Sequence, residues 1–468
     1  MRRLNTTLPQ PLLAIHAHTL TGTANPYESK HFTRSNNPCF AKLHKMNFDI
    51  IIVGAGPAGL CMAQALSGHG LQIAIVEQAE LSTLEQPAFD GREIALSLQS
   101  VQTMRQLGLW QRIAAAHPQA LAPLKDAQVF SGQSRFSLLI SHRHSKAQAR
   151  ELGWFASNHL IRQAAFDCVQ ASAAAHQDIT LFANTQASRV WSDAQAAYVE
   201  IQQHGQPHPR QLQAQLLIAA DSRFSATRRC MGISAEMHDF GHNMLVCEMT
   251  HTTPHQHIAR EWFAHKQTLA LLPMHDDAAT GLPRSSIVLT QPAHALHALL
   301  QLSDADFGAE ISRRFAHTLG TMHPASTRHI YPLTGVYPNQ LIAQRFACVG
   351  DAAVGMHPAT AHGFNFGLLG IATLSQLLLQ AHHSKQNIAS PALLERYQRQ
   401  HRLTTKPLYL ITKAIVQMYS SANPAIQLLC NSALQLCEHL PPFKRAVATS
   451  LTGQASKLTA QPETQQAT

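Results

Sequence analysis

Charged side chains are scarce in this chain. Asp, Glu, Lys and Arg make up 13% of its 468 residues, roughly half the usual share of about 25%. Gln, His, Ser and Thr supply the polar surface instead. No run of five like charges occurs, and no DNA- or RNA-binding motif accompanies the formal charge of +9, so no nucleic-acid partner is expected. The slight basic excess suits, at most, anionic lipid headgroups. The eight cysteines contain no C-x-x-C pair, which fits reduced thiols in a cytoplasmic setting. No uninterrupted apolar run reaches the ~18 residues that span a bilayer. The longest, 368–379, is broken by Gly370, Thr373, Ser375 and Gln376 and reads as a buried helix. The thirty histidines are the one excess. His251, His255 and His257 lie close together, but no Cys, Asp or Glu completes a ligand set, so they read as a polar loop and no metal is expected.

The length suits two or three domains. Residues 1–45 show no helix or strand period and hold a single acid, Glu28. They read as a disordered extension, or as sequence upstream of a start at Met46, with an organellar presequence as the alternative. The run Ile50-Ile51-Ile52-Val53-Gly54-Ala55-Gly56-Pro57-Ala58-Gly59, followed by Ile73-Ala74-Ile75-Val76-Glu77, then gives the dinucleotide-binding βαβ pattern. Gly54 permits the tight turn, Gly56 lets backbone approach a pyrophosphate, and Gly59 lets the helix lie close on the sheet. The helix start offers bare N–H groups to phosphate. Glu77 stands where a carboxylate accepts from a ribose hydroxyl.

Beyond this unit the pattern predicts short strands at 127–130, 179–190 and 197–202, a helix over 157–173 and a buried strand at 216–220. A β-rich region follows over 236–335, then a buried strand at 346–350, a long helix, and amphipathic helices to 452. Three further segments carry chemistry. Asp90-Gly91-Arg92 sets an arginine between an acidic turn and a helix start, where it can pair with a pyrophosphate. Ala220-Asp221-Ser222-Arg223 follows a strand end. Val349-Gly350-Asp351 precedes Met356-His357-Pro358 and Gly363-Phe364-Asn365; Asp351 can bind a sugar-alcohol hydroxyl, and the start at Gly363 presents N–H groups.

In this order, the glycine turn, the Asp221-Ser222 segment ("DG" in the family) and the Gly350-Asp351 segment ("GD") resemble the flavoprotein aromatic hydroxylases of the p-hydroxybenzoate hydroxylase type, over about residues 46–445. Asp90-Gly91-Arg92 with Ala95-Leu96, Glu261-Trp262-Phe263 with 269–273, Asn423-Pro424-Ala425 and 441–445 resemble the ubiquinone-biosynthesis branch, in particular its bacterial demethoxyubiquinol hydroxylases of broad regioselectivity. The resemblance implies an α/β fold: a Rossmann-like, glutathione-reductase-like FAD-binding domain with an inserted β-rich substrate domain and C-terminal helices. FAD-binding parts are expected at 46–125, 151–235 and 336–390, substrate-domain parts at 126–150 and 236–335, a helical region at 391–452 and a disordered tail at 453–468.

It also implies FAD, reduced by NAD(P)H or another donor, with dioxygen as co-substrate and a flavin hydroperoxide that attacks an electron-rich ring. The substrate would be a prenylated phenol or quinol, demethoxyubiquinol first. Cofactor contacts would come from Gly54, Gly56, Pro57, Ala58, Gly59, Glu77, Gln78, Arg92, His159, Asp221, Asp351, Gly363, Phe364 and Asn365, with His357 and Pro358 beside the reacting edge. Further implied partners are the inner face of the cytoplasmic membrane, touched peripherally by tail helices bearing Leu428, Leu429, Leu434, Leu436 and Leu440, a quinone-biosynthesis complex, or a second copy of the chain. Four positions depart from the family pattern: Ser222 for Gly, Val354 for His, Ala361-His362 for Gly-Gln and Gly370 for an acid. They leave open the electron donor and the exact substrate. Other readings are a monooxygenase of soluble aromatics, a prenyl-lipid reductase, or a non-catalytic FAD-binding subunit. The halogenase signature W-x-W-x-I-P is absent.

Overall fold

A computed structural model describes residues 45–131, 137–144, 150–264, 267–357, 362–420, 432 and 436–452. Of the segments expected to be disordered, 1–45 and 453–468, all but Lys45, which opens β1, lie outside them. In chain order the strands are β1 (Lys45–Val53), β2 (Ile73–Val76), β3 (Glu93–Ser97), β4 (Leu121–Leu124), β5 (Asp126–Ser131), β6 (Ser137–Ser141), β7 (Gly153–Ser157), β8 (Ile179–Phe182), β9 (Thr185–Ser192) and β10 (Ala197–Gln203). They continue with β11 (Arg210–Ala219), β12 (Ala235–His251), β13 (Ile258–Ala264), β14 (Gln267–Pro273), β15 (Arg284–Gln291), β16 (Met322–Pro324), β17 (His329–Pro338), β18 (Ile342–Ala343) and β19 (Phe346–Cys348). The helices are α1 (Pro57–Leu66), α2 (Leu81–Glu85), α3 (Leu98–Gln106), α4 (Leu109–Ala116), α5 (Asn158–His176), α6 (Ala226–Cys230), α7 (Ala293–Leu300), α8 (Asp304–Arg314), α9 (Gly363–His383), α10 (Pro391–Ser420) and α11 (Pro441–Thr452).

The first sheet runs β18-β19-β11-β1-β2-β8, with β10 and β9 added beside β11. β1 is parallel to both neighbours, β11 and β2. A strand flanked this way carries helices on both faces and must be apolar on both, which is why Ile50, Ile51 and Ile52 are all fully buried. α1 packs on α5 and α9. A strand, β3, intervenes between Arg92 and the helix start at Leu98. It leaves the first sheet to join β7 and β4 in a three-stranded antiparallel sheet. Ser97 ends it and caps α3, its Oγ accepting from Ser100 N at 3.2 Å.

The second sheet, β16-β12-β15-β14-β13-β5-β6 with β17 beside β12, draws strands from two separate parts of the chain. Its register decides what each face carries, because partners across a ladder point the same way. One face bears Leu245, Cys247, Met249, Leu269, Leu271, Ile287 and Leu289, sealed by Leu296 and Leu299 of α7 and Phe307 and Ile311 of α8. The sequence reading placed no helices here. On the other face, Ala127 and Ala259 with Leu272 pack against Ala95 of β3. A Cβ at Gly91 would stand 3.1 Å from Val246 Cγ2. The second sheet therefore roofs the β3 side of the nucleotide sheet.

Residues 368–379 lie in a buried helix, α9, as expected. Among the described residues it is the one helix long and apolar enough, by length and composition, to cross a membrane. It is nonetheless a core helix, with Leu368, Ile371, Leu374 and Leu378 buried against the first sheet. α10 runs beside it with an inverted pattern: His401, Thr405 and Thr412 are buried, while Leu403, Leu410 and Ile411 are exposed. Gly370 makes the room, since a Cβ there would stand 3.0 Å from the His401 ring. Of the tail leucines, Leu436 and Leu440 are exposed, and Leu428, Leu429 and Leu434 lie outside the described residues.

Candidate active site

The glycine turn is built as its spacing predicts. Gly54 has φ +105°, and a Cβ there would meet the Ala220 carbonyl oxygen at 2.6 Å. A Cβ on Gly59 would meet the Gly54 carbonyl oxygen at 1.8 Å. Gly56 differs: a Cβ there meets nothing within 4 Å. It caps α1 without a side-chain bond, Pro57 follows at the first turn, and no acid stands there. The N–H groups of that turn thus face an open cradle of the kind a pyrophosphate fills. Glu77 stands at the end of β2. One of its carboxylate oxygens accepts from Ala55 N at 2.6 Å and the other from Ala79 N at 2.8 Å, so it clamps the turn it would share with a ribose. Gln78 beside it is exposed. Ala58 closes the turn against the "GD" loop, where Gly350 has φ +60° and a Cβ would stand 2.4 Å from Ala58 Cβ.

The loops after β2, β11 and β19 meet around this turn. Arg92 points its guanidinium at Asp90, with Nη2–Oδ2 at 2.6 Å, and lies over the Tyr331 ring. Asn158 Nδ2 donates to the same Asp90 oxygen at 2.7 Å. Burial works to raise the Asp90 pKa, but the Arg92 charge and these hydrogen bonds outweigh it and hold the carboxyl below its usual value. The neighbouring His159 packs edge-on to Phe89, and its buried Nδ1 has no hydrogen-bond partner among the described residues. Asp221 holds its own loop, accepting from Ser225 Oγ at 2.5 Å and Thr227 N at 3.0 Å. Asp351 accepts from Arg223 Nη2 at 2.9 Å and Nε at 3.2 Å, both on Oδ2, which ties the "DG" and "GD" loops together. Arg228, which the sequence showed only as part of a basic loop, is a second tie. Its buried guanidinium donates to the carbonyls of Arg223 and Ala352. Ser222, standing where the family pattern has Gly, takes φ +84°.

Residues 47–408 match the FAD binding domain family. The chain belongs to that family. It is 37% identical to the ubiquinone hydroxylase UbiM of Neisseria meningitidis over 88% of its own length and 86% of that protein's. It is 24% identical to the 3-demethoxyubiquinol 3-hydroxylase of Escherichia coli over 85% and 96%. The p-nitrophenol 4-monooxygenase PnpA from Pseudomonas putida DLL-E4 superposes with a TM-score of 0.66, at 16% identity, over 88% of this chain and 100% of that one; this likeness carries the fold alone. The protein is accordingly an FAD-dependent oxidoreductase of the monooxygenase fold, using a reduced donor and dioxygen. The open cradle at Gly56 fits the FAD pyrophosphate.

The residues expected at the flavin lie where α9 begins. Asn365 is committed to the scaffold: Nδ2 donates to the Ala95 carbonyl at 2.8 Å and Oδ1 accepts from Ser97 N at 2.9 Å. It fixes the start of α9 against β3. Gly363 opens the helix with open space at its Cβ position, no side chain caps it, and Phe364 in the first turn packs on the core. His357 is buried and stands edge-on to Phe240, ring centroids 4.5 Å apart. Burial, with His242, Arg223 and His238 nearby, pushes its pKa down to about 4, so it is neutral at physiological pH. Pro358 lies outside the described residues.

The roof sheet and β3 beneath it add three carboxyls that no motif in the sequence marks as site residues. Glu93 of β3, Glu248 of β12 and Glu261 of β13 all carry raised carboxyl pKa values, with burial the largest cause. Glu93 accepts from Ser157 Oγ at 2.5 Å, and Glu248 pairs with Arg284 at 3.0 Å. The sequence signal for Glu261 is an acid alternating with apolar residues on a strand. The His251–His257 group spans the loop from β12 to β13, as expected, but His251 and His255 are buried in it. His251 Nδ1 donates to Thr253 O and its Nε2 bonds Ser285 Oγ, both at 2.9 Å, and His255 Nε2 donates to Met274 O at 2.8 Å. Among the described residues no cluster of His, Cys, Asp and Glu is arranged to hold a metal.

Proposed function

We propose that the protein hydroxylates the ring of a prenylated ubiquinone precursor, with demethoxyubiquinol the first candidate and more than one ring position open to it. The observation that carries this reading is the near-full-length match to the ubiquinone hydroxylase of N. meningitidis, at 37% identity. FAD, when bound, takes electrons from the donor and supplies an oxygen atom derived from dioxygen. The chain's own residues do the rest. Gly54, Gly56, Pro57, Ala58 and Gly59 would receive the pyrophosphate, with Glu77 and Gln78 at the ribose. Arg92, His159, Asp221 and Asp351 would line the span between adenosine and flavin. The N–H groups at Gly363, Phe364 and Asn365 would meet the flavin pyrimidine edge, where the helix dipole favours negative charge. His357, neutral and walled by Phe240, with Pro358, would bound the reacting edge and keep water out.

An apolar precursor lives in a membrane, and α10 supports contact with one. Its exposed Leu403, Leu410 and Ile411 repeat at seven and eight residues, one face of a helix. From residue 396 to 420 the sequence has five Arg or Lys and no acid, the charge an anionic leaflet attracts. This peripheral contact is at the inner face of the cytoplasmic membrane.

The test is twofold. Purified, flavin-loaded protein with a reduced nicotinamide should consume oxygen when a prenylated phenol is added and little without it. A strain lacking the gene should accumulate a ring-hydroxylation intermediate with the polyprenyl chain attached, read by mass spectrometry of its lipids. Normal ubiquinone in that strain, together with oxygen consumption on unprenylated phenols alone, would move the assignment to soluble aromatics.

A further inference from the structure

We propose that Glu261 is the group that receives the hydroxyl of the substrate ring, accepting its hydrogen bond in the chamber between the roof sheet and β3. The inference rests on the ring-hydroxylation reading and gives it a recognition residue.

The sheet register fixes where Glu261 stands. It is opposite Ala270 on β14 and Val129 on β5, and Ala270 is in turn opposite Val288 on β15. It is two residues along β13 from Ala259, which packs in the cluster with Ala95 of β3. Ala95 is the residue whose carbonyl Asn365 grips to fix the start of α9. Glu261 therefore projects from an apolar patch of roof toward the side of the site where the flavin pyrimidine edge is expected.

Its isolation is the second observation. Glu93 is satisfied by Ser157 and Glu248 by Arg284. The Glu261 side chain has no hydrogen-bond or ion-pair partner among the described residues, although it is part-buried, and burial alone pushes its carboxyl up to about 8. Holding a partnerless acid in apolar surroundings works against folding. A structural role would be met better by Val or Leu, the residue types around it. An acceptor left unpaired among the described residues, in a row with Val129, Ala270 and Val288, is how a site fixes the orientation of a ligand with one hydroxyl. The ring O–H is such a donor. Below about pH 8 Glu261 holds its own proton, so the ring O–H would donate to the carbonyl oxygen of a neutral carboxyl, and that bond polarises the O–H and raises electron density ortho and para to the ring oxygen, the positions an electrophilic oxygen attacks.

The test uses the flavin-loaded protein and two probes, a phenol carrying one isoprenoid unit and its O-methyl ether, with binding read from flavin fluorescence. A site that hydrogen-bonds a hydroxyl rejects the analogue that cannot donate. The parent should prefer the phenol by on the order of tenfold or more. Glu261→Leu should keep its flavin and bind both probes equally. Glu261→Gln, whose carbonyl still accepts, should keep part of the preference. A Leu variant that retains the full preference overturns the assignment, as does a parent that binds the two probes equally even while it consumes oxygen with the phenol. That parental arm needs no variant to fold. A parent that discriminates between the probes but consumes no oxygen with the phenol supports Glu261 and sinks the hydroxylase reading.

Discussion

Three glycines in one turn do three different things, and only one of them concerns the ligand. Gly54 and Gly59 are enforced by backbone, with carbonyl oxygens 2.6 and 1.8 Å from where a Cβ would be. Gly56 has open space, so its lack of a side chain serves something outside the polypeptide. Gly56→Asp should therefore fold. Its carboxylate would stand in the pyrophosphate cradle and repel it. The variant should show the thermal stability of the flavin-free parent while losing flavin absorbance on purification. If it retains FAD, the cradle is elsewhere; if it unfolds, Gly56 is structural like its neighbours. Ser222 makes the reverse point. At φ +84° it occupies a conformation that suits Gly, at a cost of roughly 1–2 kcal/mol, and Thr227 N and Ser225 Oγ on Asp221 hold the loop in place against it.

At the scale of elements, strands buried on both faces were the most legible. β1, β11 and β19 are apolar because parallel neighbours and helices leave them no polar side. The glycine turn was legible for the same local reason. α7 and α8 were not, because their apolar residues alternate with His, Ser and Asp inside a stretch read as sheet, although Ser303 caps α8 by accepting from Asp306 N at 3.1 Å. The pairing of Arg92 with Asp90 and of Arg223 with Asp351 depends on loop conformation, which no spacing encodes. α10 was read as amphipathic, and it is, but inverted: the burial of His401 depends on Gly370 in the neighbouring helix, a contact remote in sequence. Its outward Leu410 and Ile411 make the membrane proposal testable. Replacing both with Glu should reduce cosedimentation with phosphatidylglycerol vesicles several-fold and leave flavin content unchanged, since neither side chain enters the core. Undiminished vesicle binding would show that α10 is not the contact.

For the whole molecule, the buried titratable groups set a pH window. Burial raises Glu93 from 4.5 to about 8 and lowers His255, His357 and His401 from 6.5 to about 4. The histidines bind protons more readily in the unfolded chain, so they make stability rise with pH between about 4 and 6.5. The carboxyl does the opposite. Between 4.5 and 8 the folded state holds a proton that the unfolded chain has released, so stability falls as pH rises, by up to about 1.4 kcal/mol per pH unit for one such group. Above 6.5 the histidine contribution is complete and only the loss remains. Glu93→Gln keeps an acceptor for Ser157 Oγ and removes the titration. The parent and the variant should melt at similar temperatures near pH 5, and the variant should melt higher at pH 8.5. Glu261 titrates over the same range, so part of the decline should survive in the single variant and shrink further in Glu93→Gln/Glu261→Gln. A decline between pH 6.5 and 8.5 that is identical in parent and variants would mean that these carboxyls ionise at ordinary values, and that water reaches the roof of the chamber.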